Sequence, residues 1–235
     1  MTELRRGARK TAGCLLALSI LMGMAFLAAA ADEAGDETSS VAVDSVDTGE
    51  LTYTEFLQKT VLQPVSTETK VELNAEQLAA GSGNFTAEED AVYIQEEDSL
   101  TVSFSASPGL YAMQIEYDPD PGRSRDIELR LELQGEIPFQ EADSLVLSRR
   151  WRDVGGVIEE DNNGNDIRPS QEEILFDERG WLSYQAVDAA GYYTQELLFP
   201  LEDENTLTLT LSRENVRIHR IVFYGVEDIP SYDEY

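Results

Sequence analysis

Hydrophobic and polar residues alternate in three consecutive segments between Leu100 and Phe139. Apolar side chains at every second position form one face of each segment, and in the third segment Glu128, Arg130 and Glu132 lie between them. The apolar positions are Leu100, Val102 and Phe104 in the first segment, Tyr111, Met113, Ile115 and Tyr117 in the second, and Ile127, Leu129, Leu131 and Leu133 in the third. This period of two predicts antiparallel strands that bury one face and expose the other.

Shorter segments with the same character predict strands before and after this region, and a short helix over 53–61 precedes them. These further strands are predicted over residues 70–73, 91–94, 145–151, 181–186, 192–200, 207–211 and 216–224. In the last of them the alternation changes phase around residues 219–221, as a β-bulge or burial on both faces would produce. About nine or ten strands whose apolar faces all need cover predict an all-β fold, a jelly-roll-like β-sandwich.

The first 31 residues have the composition of a secretory signal peptide. Four basic residues lie within the first ten positions, an apolar run extends from Cys14 to Ala30, and small residues surround Ala30 and Ala31. We expect cleavage near these two alanines, no membrane insertion after cleavage, and a secreted, cell-surface protein. The apolar run approaches the length of a membrane-spanning helix, so an uncleaved anchor is the alternative.

Charge and cysteine content narrow the choice of partners. Residues 32–50 are acidic and unpatterned and predict a disordered linker, followed by one folded domain over 51–235. The chain has 17 Lys and Arg against 46 Asp and Glu, a net charge of −29 that becomes −32 without residues 1–31. Such a field repels nucleic acid and anionic lipid, and leaves neutral ligands, cations or a basic cell wall as partners. The only cysteine, Cys14, lies within the predicted signal peptide, so we expect none in the mature chain.

Five motifs are distinctive: GLYAMQIEYDP, IPFQEADSLVLSRRW, GNDIRPSQ, GYYTQELLF and IPSYDEY. Together they resemble the N-terminal domain of large extracellular solute-binding proteins associated with sugar ABC transporters. This domain is a jelly roll of the galactose-binding-like, carbohydrate-binding-module-like type, and the resemblance covers roughly Tyr53 to Tyr235. It implies a non-catalytic domain that binds an oligo- or polysaccharide and is accessory to a sugar ABC transport protein.

Aromatic, amide and charged residues concentrate in the irregular middle of the chain and predict a sugar-binding site. Flat apolar rings cover the C–H face of a pyranose, and planar polar groups bind its hydroxyls. The candidate ligand-binding residues are Trp151, Asn165, Asp166, Arg168, Trp181, Tyr192 and Tyr193. In the alternative, both tryptophans belong to the core and Asp166 pairs with Arg168 to fix a loop. The chain is then a structural or protein-interaction β-sandwich without glycan binding.

Two parts of the chain have some features of a calcium site. Residues 161–166 carry oxygen ligands at alternating positions, but they lack the central glycine and the closing glutamate of an EF-hand, so an Asx-rich turn is the alternative. The resemblance adds that calcium-bearing jelly rolls use an early glutamate, here Glu72 or Glu76, with an aspartate in the last strand. The last strand of this chain instead carries two arginines and His219. We expect no metal site and no cofactor, with a structural calcium as the alternative.

The sequence also argues against an enzyme. His219 is the only histidine, no cysteine follows the signal peptide, and no nucleophile motif accompanies them. Zinc-binding and phosphate-loop spacings are likewise absent from the sequence. We expect no catalytic residues. A glycosidase is the remaining alternative, because its paired carboxylates are recognised by their separation in space.

Overall fold

A computed structural model describes residues 51–155 and 158–227 and confirms the predicted all-β sandwich. The predicted signal peptide over 1–31 and the linker over 32–50 lie outside these residues, as do 228–235 of the predicted domain. Among the residues described, no helix is long and apolar enough to cross a membrane.

Two antiparallel sheets contain most of the strands. In chain order the elements are α1 Tyr53–Lys59, β1 Lys70–Asn74, α2 Ala75–Ala79, β2 Ser82–Gly83, β3 Thr86–Ala87, β4 Val92–Ile94, β5 Ser99–Ser105, β6 Gly109–Pro119, β7 Ile127–Leu133, a 3-10 helix Gln140–Asp143, β8 Leu145–Leu147, β9 Trp151–Val154, β10 Glu159–Glu160, β11 Asp166–Ile167, β12 Ser170–Glu173, α3 Phe176–Arg179, β13 Leu182–Gln185, β14 Leu198–Leu201, β15 Glu204–Arg213 and β16 Val216–Tyr224. One sheet has the order β13-β6-β16-β4-β3, with β1 added beside β16 and β14 beside β6. The other has the order β2-β5-β15-β7-β8.

The core lies between the inner faces of these sheets, as the alternation predicts. Every apolar position named for the three central strands is buried. The rings of Phe104 on β5 and Phe223 on β16 stack with centroids 5.4 Å apart, so the two sheets meet directly. Burial of these side chains supplies the stability of a domain that has no disulfide.

The phase change in the last strand is a β-bulge. β16 pairs with β6 through Ile218 opposite Tyr117 and then Arg220 opposite Glu116, so His219 has no opposite residue. The extra residue lets Ile218 and Ile221 both point into the core although they are three positions apart. It also brings Arg220 to the outer face of the sheet beside Glu116.

Ten strands of the two sheets correspond to the ten predicted ones. The others, β2 and β3, have two residues each and are too short to show a period. The irregular region after Trp151 contains two small ribbons, β9 with β12 and β10 with β11. The strand expected over 192–200 begins only at Leu198, because a turn occupies its first part.

Buried tyrosines make the fold sensitive to alkali. Burial raises the pKa of Tyr117 and Tyr184 to about 12. In the unfolded chain these phenols ionise near pH 10, so their contribution to stability is complete below about pH 10 and is lost as the pH rises towards 12. We expect the free energy of unfolding to fall by about 1.4 kcal/mol per pH unit for each of them in this window. Urea unfolding between about pH 8 and pH 11 measures this slope.

Phenylalanine variants identify the source of the slope. Tyr117→Phe and Tyr184→Phe should each flatten it, whereas Tyr192→Phe, at a position that is 93% exposed, should leave it unchanged. Equal slopes for the wild type and the Tyr117→Phe and Tyr184→Phe variants would contradict the assignment.

Candidate functional site

A tight turn between β13 and β14 presents two adjacent tyrosines. The carboxylate of Asp188 is 7% exposed and accepts hydrogen bonds from the backbone N–H groups of Ala190, Tyr192 and Tyr193 at 2.9, 2.7 and 3.0 Å. Gly191 adopts φ +74°, a conformation that favours glycine. One buried side chain therefore holds the whole turn in a single shape.

The two tyrosines of this turn have different environments. Tyr192 is 93% exposed. The ring of Tyr193 is partly buried and packs edge-to-face on Tyr53 of α1, with centroids 4.7 Å apart. Tyr53 is fully buried, and its hydroxyl accepts a hydrogen bond from the backbone N–H of Leu198 at 2.8 Å. Helix α1 thus packs against the ring of Tyr193 through Tyr53, whereas the side chain of Tyr192 is accessible to a ligand.

A cavity of about 440 Å³ opens beside Tyr193, and we call it the Tyr193 cavity. Its lining residues are Pro64, Gln185, Val187, Tyr193, Thr194, Gln195, Glu196, Leu198, Val226 and Glu227. They combine an aromatic ring, apolar side chains, two amides and two carboxylates, and none of these ten is Lys, Arg or His. The cavity therefore offers hydrogen-bond acceptors and amide donors in a field of negative sign.

Hydrogen bonds hold several of these polar groups in place. The hydroxyl of Tyr193 donates to Oε1 of Gln195 at 3.0 Å, and that of Tyr224 donates to Oε1 of Glu196 at 2.8 Å. Burial, and after it the Glu196 carboxylate, raises the pKa of Tyr224. This phenol accordingly stays protonated and keeps the carboxylate of Glu196 oriented at neutral pH.

The structure divides the seven predicted site residues into three groups. Tyr192 and Tyr193 lie together on the turn. Trp181 lies just before β13, where its ring stacks on His219 with centroids 4.8 Å apart and meets Phe176 edge-to-face. The other four, Trp151, Asn165, Asp166 and Arg168, belong to the region of the two small ribbons.

The ribbon group is bound mainly to its own loop. The side-chain N–H₂ of Asn165 donates to Asp161, which also accepts the backbone N–H groups of Asn163 and Asn165. These bonds, the one from the Asn165 side chain first, lower the pKa of Asp161. This pattern of hydrogen bonds is typical of an Asx turn, which the sequence offered as the alternative to a cation site in this segment.

The other ribbon residues differ in exposure and contacts. Trp151 is 38% exposed on β9, opposite Glu173. Asp166 is exposed and pairs with Glu160 through the strand backbone. Arg168 donates to Gln171 at 3.3 Å and lines a separate cavity of about 210 Å³. Among the described residues, none of these side chains lines the Tyr193 cavity.

The early glutamate considered for calcium meets an arginine. Nη1 of Arg220 lies 3.2 Å from Glu72, and Nη2 lies 2.5 Å from Glu116. The guanidinium therefore occupies the space between the two carboxylates. Over residues 51–155 and 158–227, no group of three or more His, Cys, Asp or Glu side chains is placed to hold a metal ion.

Sequence reasoning did not select several residues of the Tyr193 cavity. Gln195 and Glu196 follow Tyr193 directly in the GYYTQELLF motif, so the motif itself contains the signal. Asp188, which shapes the turn, has no such signal because any Asp in a turn looks alike in sequence. Gln185 is identified only when β13 is seen to end at the cavity.

The chain matches no protein-family profile and no curated protein. Among solved structures, it is similar to the CBM36-1 domain of a multidomain xylanase from the hindgut metagenome of Trinervitermes trinervoides. The identity is 10% and the TM-score 0.39, over 68% of this chain and 99% of that one. The strand pairing of this chain itself defines its fold as two antiparallel sheets.

Two enzymes are also similar in part. One is an exo-β-1,3-galactanase from Phanerochaete chrysosporium, with 14% identity and a TM-score of 0.37 over 68% of this chain. The other is a GH26-CBM35 β-(1,4)-mannanase from Podospora anserina, with 12% identity and a TM-score of 0.37 over 71% of this chain. This chain spans 30% of the length of each enzyme.

Proposed function

We propose that this chain is a secreted, non-catalytic carbohydrate-binding domain and that the Tyr193 cavity is its sugar site. The observation that carries the proposal is the turn whose Tyr193 lines a cavity together with amides and carboxylates, and whose preceding residue, Tyr192, is almost fully exposed. Ligand sites of this kind combine apolar surface with a few fixed polar groups.

Each part of the site has a role in this proposal. The exposed ring of Tyr192 covers the C–H face of a pyranose, while the amides of Gln185 and Gln195 bind its hydroxyls. Glu196 accepts a hydrogen bond from a further sugar hydroxyl. The hydrogen bond from Tyr224 already fixes the orientation of the Glu196 carboxylate. Affinity for one sugar unit is weak, because its hydroxyls must leave water to enter the cavity.

The proposal also includes a biological setting for this binding. The resemblance of the sequence motifs supports a domain that collects glycans at the cell surface for a sugar ABC transporter. The competing function is a structural or protein-interaction β-sandwich that binds no glycan.

A glycan array probed with the purified domain tests the proposal. We expect binding to neutral plant or microbial glycans, and no release of reducing sugar when the same polysaccharides are incubated with the protein. Silence across the whole array would favour the structural function. Sugar release that disappears in Glu196→Gln or Glu227→Gln would show a glycosidase instead.

The charge of the cavity predicts its selectivity. Glu196 and Glu227 line it without a cation among its described residues, and the chain as a whole carries a net charge of −29. We expect glucose and glucosamine units to bind at least about tenfold more tightly than glucuronic acid, a difference of about 1.4 kcal/mol. Titration calorimetry at low and high salt measures this difference, which salt should reduce.

Matched variants test the origin of the selectivity. Glu196→Gln and Glu227→Gln should each narrow the gap between glucose and glucuronic acid. Glu159→Gln, in the separate cavity of Arg168, should leave the gap unchanged. Preferential binding of glucuronic acid would contradict the charge argument.

A further inference from the structure

A row of polar side chains leads away from the Tyr193 cavity along β13. Leu182, Tyr184 and Ala186 are buried, so Ser183 and Gln185 point outward together with the preceding Trp181. Ser183 and Gln185 are exposed and Trp181 is partly exposed. The outer side of this strand thus presents an aromatic ring, a hydroxyl and an amide in one line.

The neighbouring strand β6 widens this row. Ser183 lies opposite Glu116 and Gln185 lies opposite Gln114. The amide of Gln114 donates to the Ser183 hydroxyl at 2.8 Å, and the charge of Glu116 is balanced by Arg220. We call Trp181, Ser183, Gln185, Gln114 and Glu116 the β13 track.

One end of the β13 track lines a cavity, and the other end contacts a residue that lines a second one. Gln185 lines the Tyr193 cavity. At the other end, Trp181 contacts Phe176, which lines a second cavity of about 220 Å³ together with Asp118, Arg179 and Arg217. From Trp181 to Gln185 the strand covers roughly 13 Å at about 3.3 Å per residue, and the cavities extend beyond both residues.

The second cavity has a different chemistry from the first. Arg179 donates to Asp118 at 2.6 Å, with both side chains 10% exposed, and Arg217 lies 3.6 Å from the same carboxylate. Arg179 also donates to the backbone oxygens of Ile174 and Gly180. This buried pair fixes the wall of the cavity, and the more exposed lining residues Arg217 and Asp120 offer a donor and an acceptor side by side, as neighbouring hydroxyls of a sugar require.

We propose that the two cavities and the β13 track form one extended site for an unbranched, uncharged oligosaccharide longer than a disaccharide. This inference rests on the proposed function, because it assigns the Tyr193 cavity to one sugar unit. The exposed part of the Trp181 side chain contacts a more distant unit, and Ser183 with the Gln114 and Gln185 amides binds the hydroxyls between the two ends. A straight strand face suits an extended chain, and a branch at the middle units would meet the neighbouring side chains.

A length series tests the extended site. Titration calorimetry with cello-, xylo- and manno-oligosaccharides, from monosaccharide to hexasaccharide, measures affinity against chain length. In a series that binds, we expect the tetrasaccharide to bind about tenfold or more tightly than the disaccharide, a difference of about 1.4 kcal/mol. Ser183→Trp fills the middle of the track and should remove most of the gain in affinity from monosaccharide to tetrasaccharide, while leaving monosaccharide binding in the Tyr193 cavity unchanged.

Two further variants control this result. Ser103→Trp places the same ring on an exposed position of β5 in the other sheet and should leave the series unchanged. Gln114→Ala, a smaller change, should weaken the long chains only. Affinity that stops rising at the disaccharide, or a Ser183→Trp protein that binds long chains normally, overturns the extended site and leaves the Tyr193 cavity standing. Absence of binding at every length in all three series overturns both proposals.

Discussion

Arg149→Ala is expected to lower the free energy of unfolding by about 3–5 kcal/mol, the largest loss we predict for any single change. The Arg149 side chain is fully buried, and its Nη1 lies 2.7 Å from Oε1 of Glu173. The guanidinium also donates to the backbone oxygens of Asp120 and Arg125, and its Nη2 lies 3.6 Å from Glu214. Alanine removes all of these contacts at once.

The loss is large because two carboxylates stay behind in the interior. The side chains of Glu173 and Glu214 are only 8% and 6% exposed. Oε2 of each has no hydrogen-bond partner even in the intact protein. Without Arg149, Glu214 keeps only the half-exposed Arg123 at 3.5 Å, and Glu173 keeps no ion pair among the described residues. Buried charges left in this way are more costly than the net benefit of the original pair.

An exposed arginine is the matched control. Arg152 pairs with Glu172 and Glu178, and all three side chains are about half exposed. Urea unfolding of Arg152→Ala should show a loss of about 1 kcal/mol or less. In addition, Glu173→Gln should restore part of the stability of Arg149→Ala by removing one stranded charge. Equal losses for the two arginine variants would refute the argument from burial.

Tyr192→Ala is expected to weaken glycan binding about tenfold or more while leaving the fold intact. A tyrosine ring that becomes buried against a ligand contributes roughly 1.5–3 kcal/mol, and about 1.4 kcal/mol is tenfold in affinity. Because the ring is 93% exposed in the free protein, its removal should change the free energy of unfolding by about 0.5 kcal/mol or less. Titration calorimetry and urea unfolding of one preparation measure both quantities.

Trp151→Ala separates the two groups of candidate aromatic residues. Trp151 is 38% exposed on β9 and is not among the residues that line the Tyr193 cavity. We expect this variant to bind the same glycans as the wild type. If Trp151→Ala loses binding and Tyr192→Ala retains it, the sugar site lies on the ribbons and not at the turn.

Asp188 links the shape of the turn to this binding. Its carboxylate accepts three backbone N–H groups, so the backbone that carries Tyr192 enters a complex with little freedom left to lose. The sequence shows the two tyrosines and the nearby glycine, but the carboxylate that fixes them is visible only in the folded chain.

The local sequence pattern predicts the bulge at His219 but not the contacts that the bulge creates. The change of phase in the last strand predicts an irregularity, because only an extra residue lets Ile218 and Ile221 share one face. The pattern does not predict that Arg220 then lies between Glu72 and Glu116, since those residues belong to β1 and β6. Strand neighbours decide that contact.

By itself the sequence determined the all-β class, the approximate places of ten strands of the two sheets and the buried faces of β5, β6 and β7, because side chains alternate along a strand wherever it is placed. Only the tertiary structure decided which polar and aromatic side chains lie together in one cavity. It grouped Tyr193 with Gln185 and Glu196 and separated them from Trp151 and Arg168, residues that the sequence places in one region. The reason is that pairing of β13 and β14 with the single strand β6 is a long-range contact, and no local period records it.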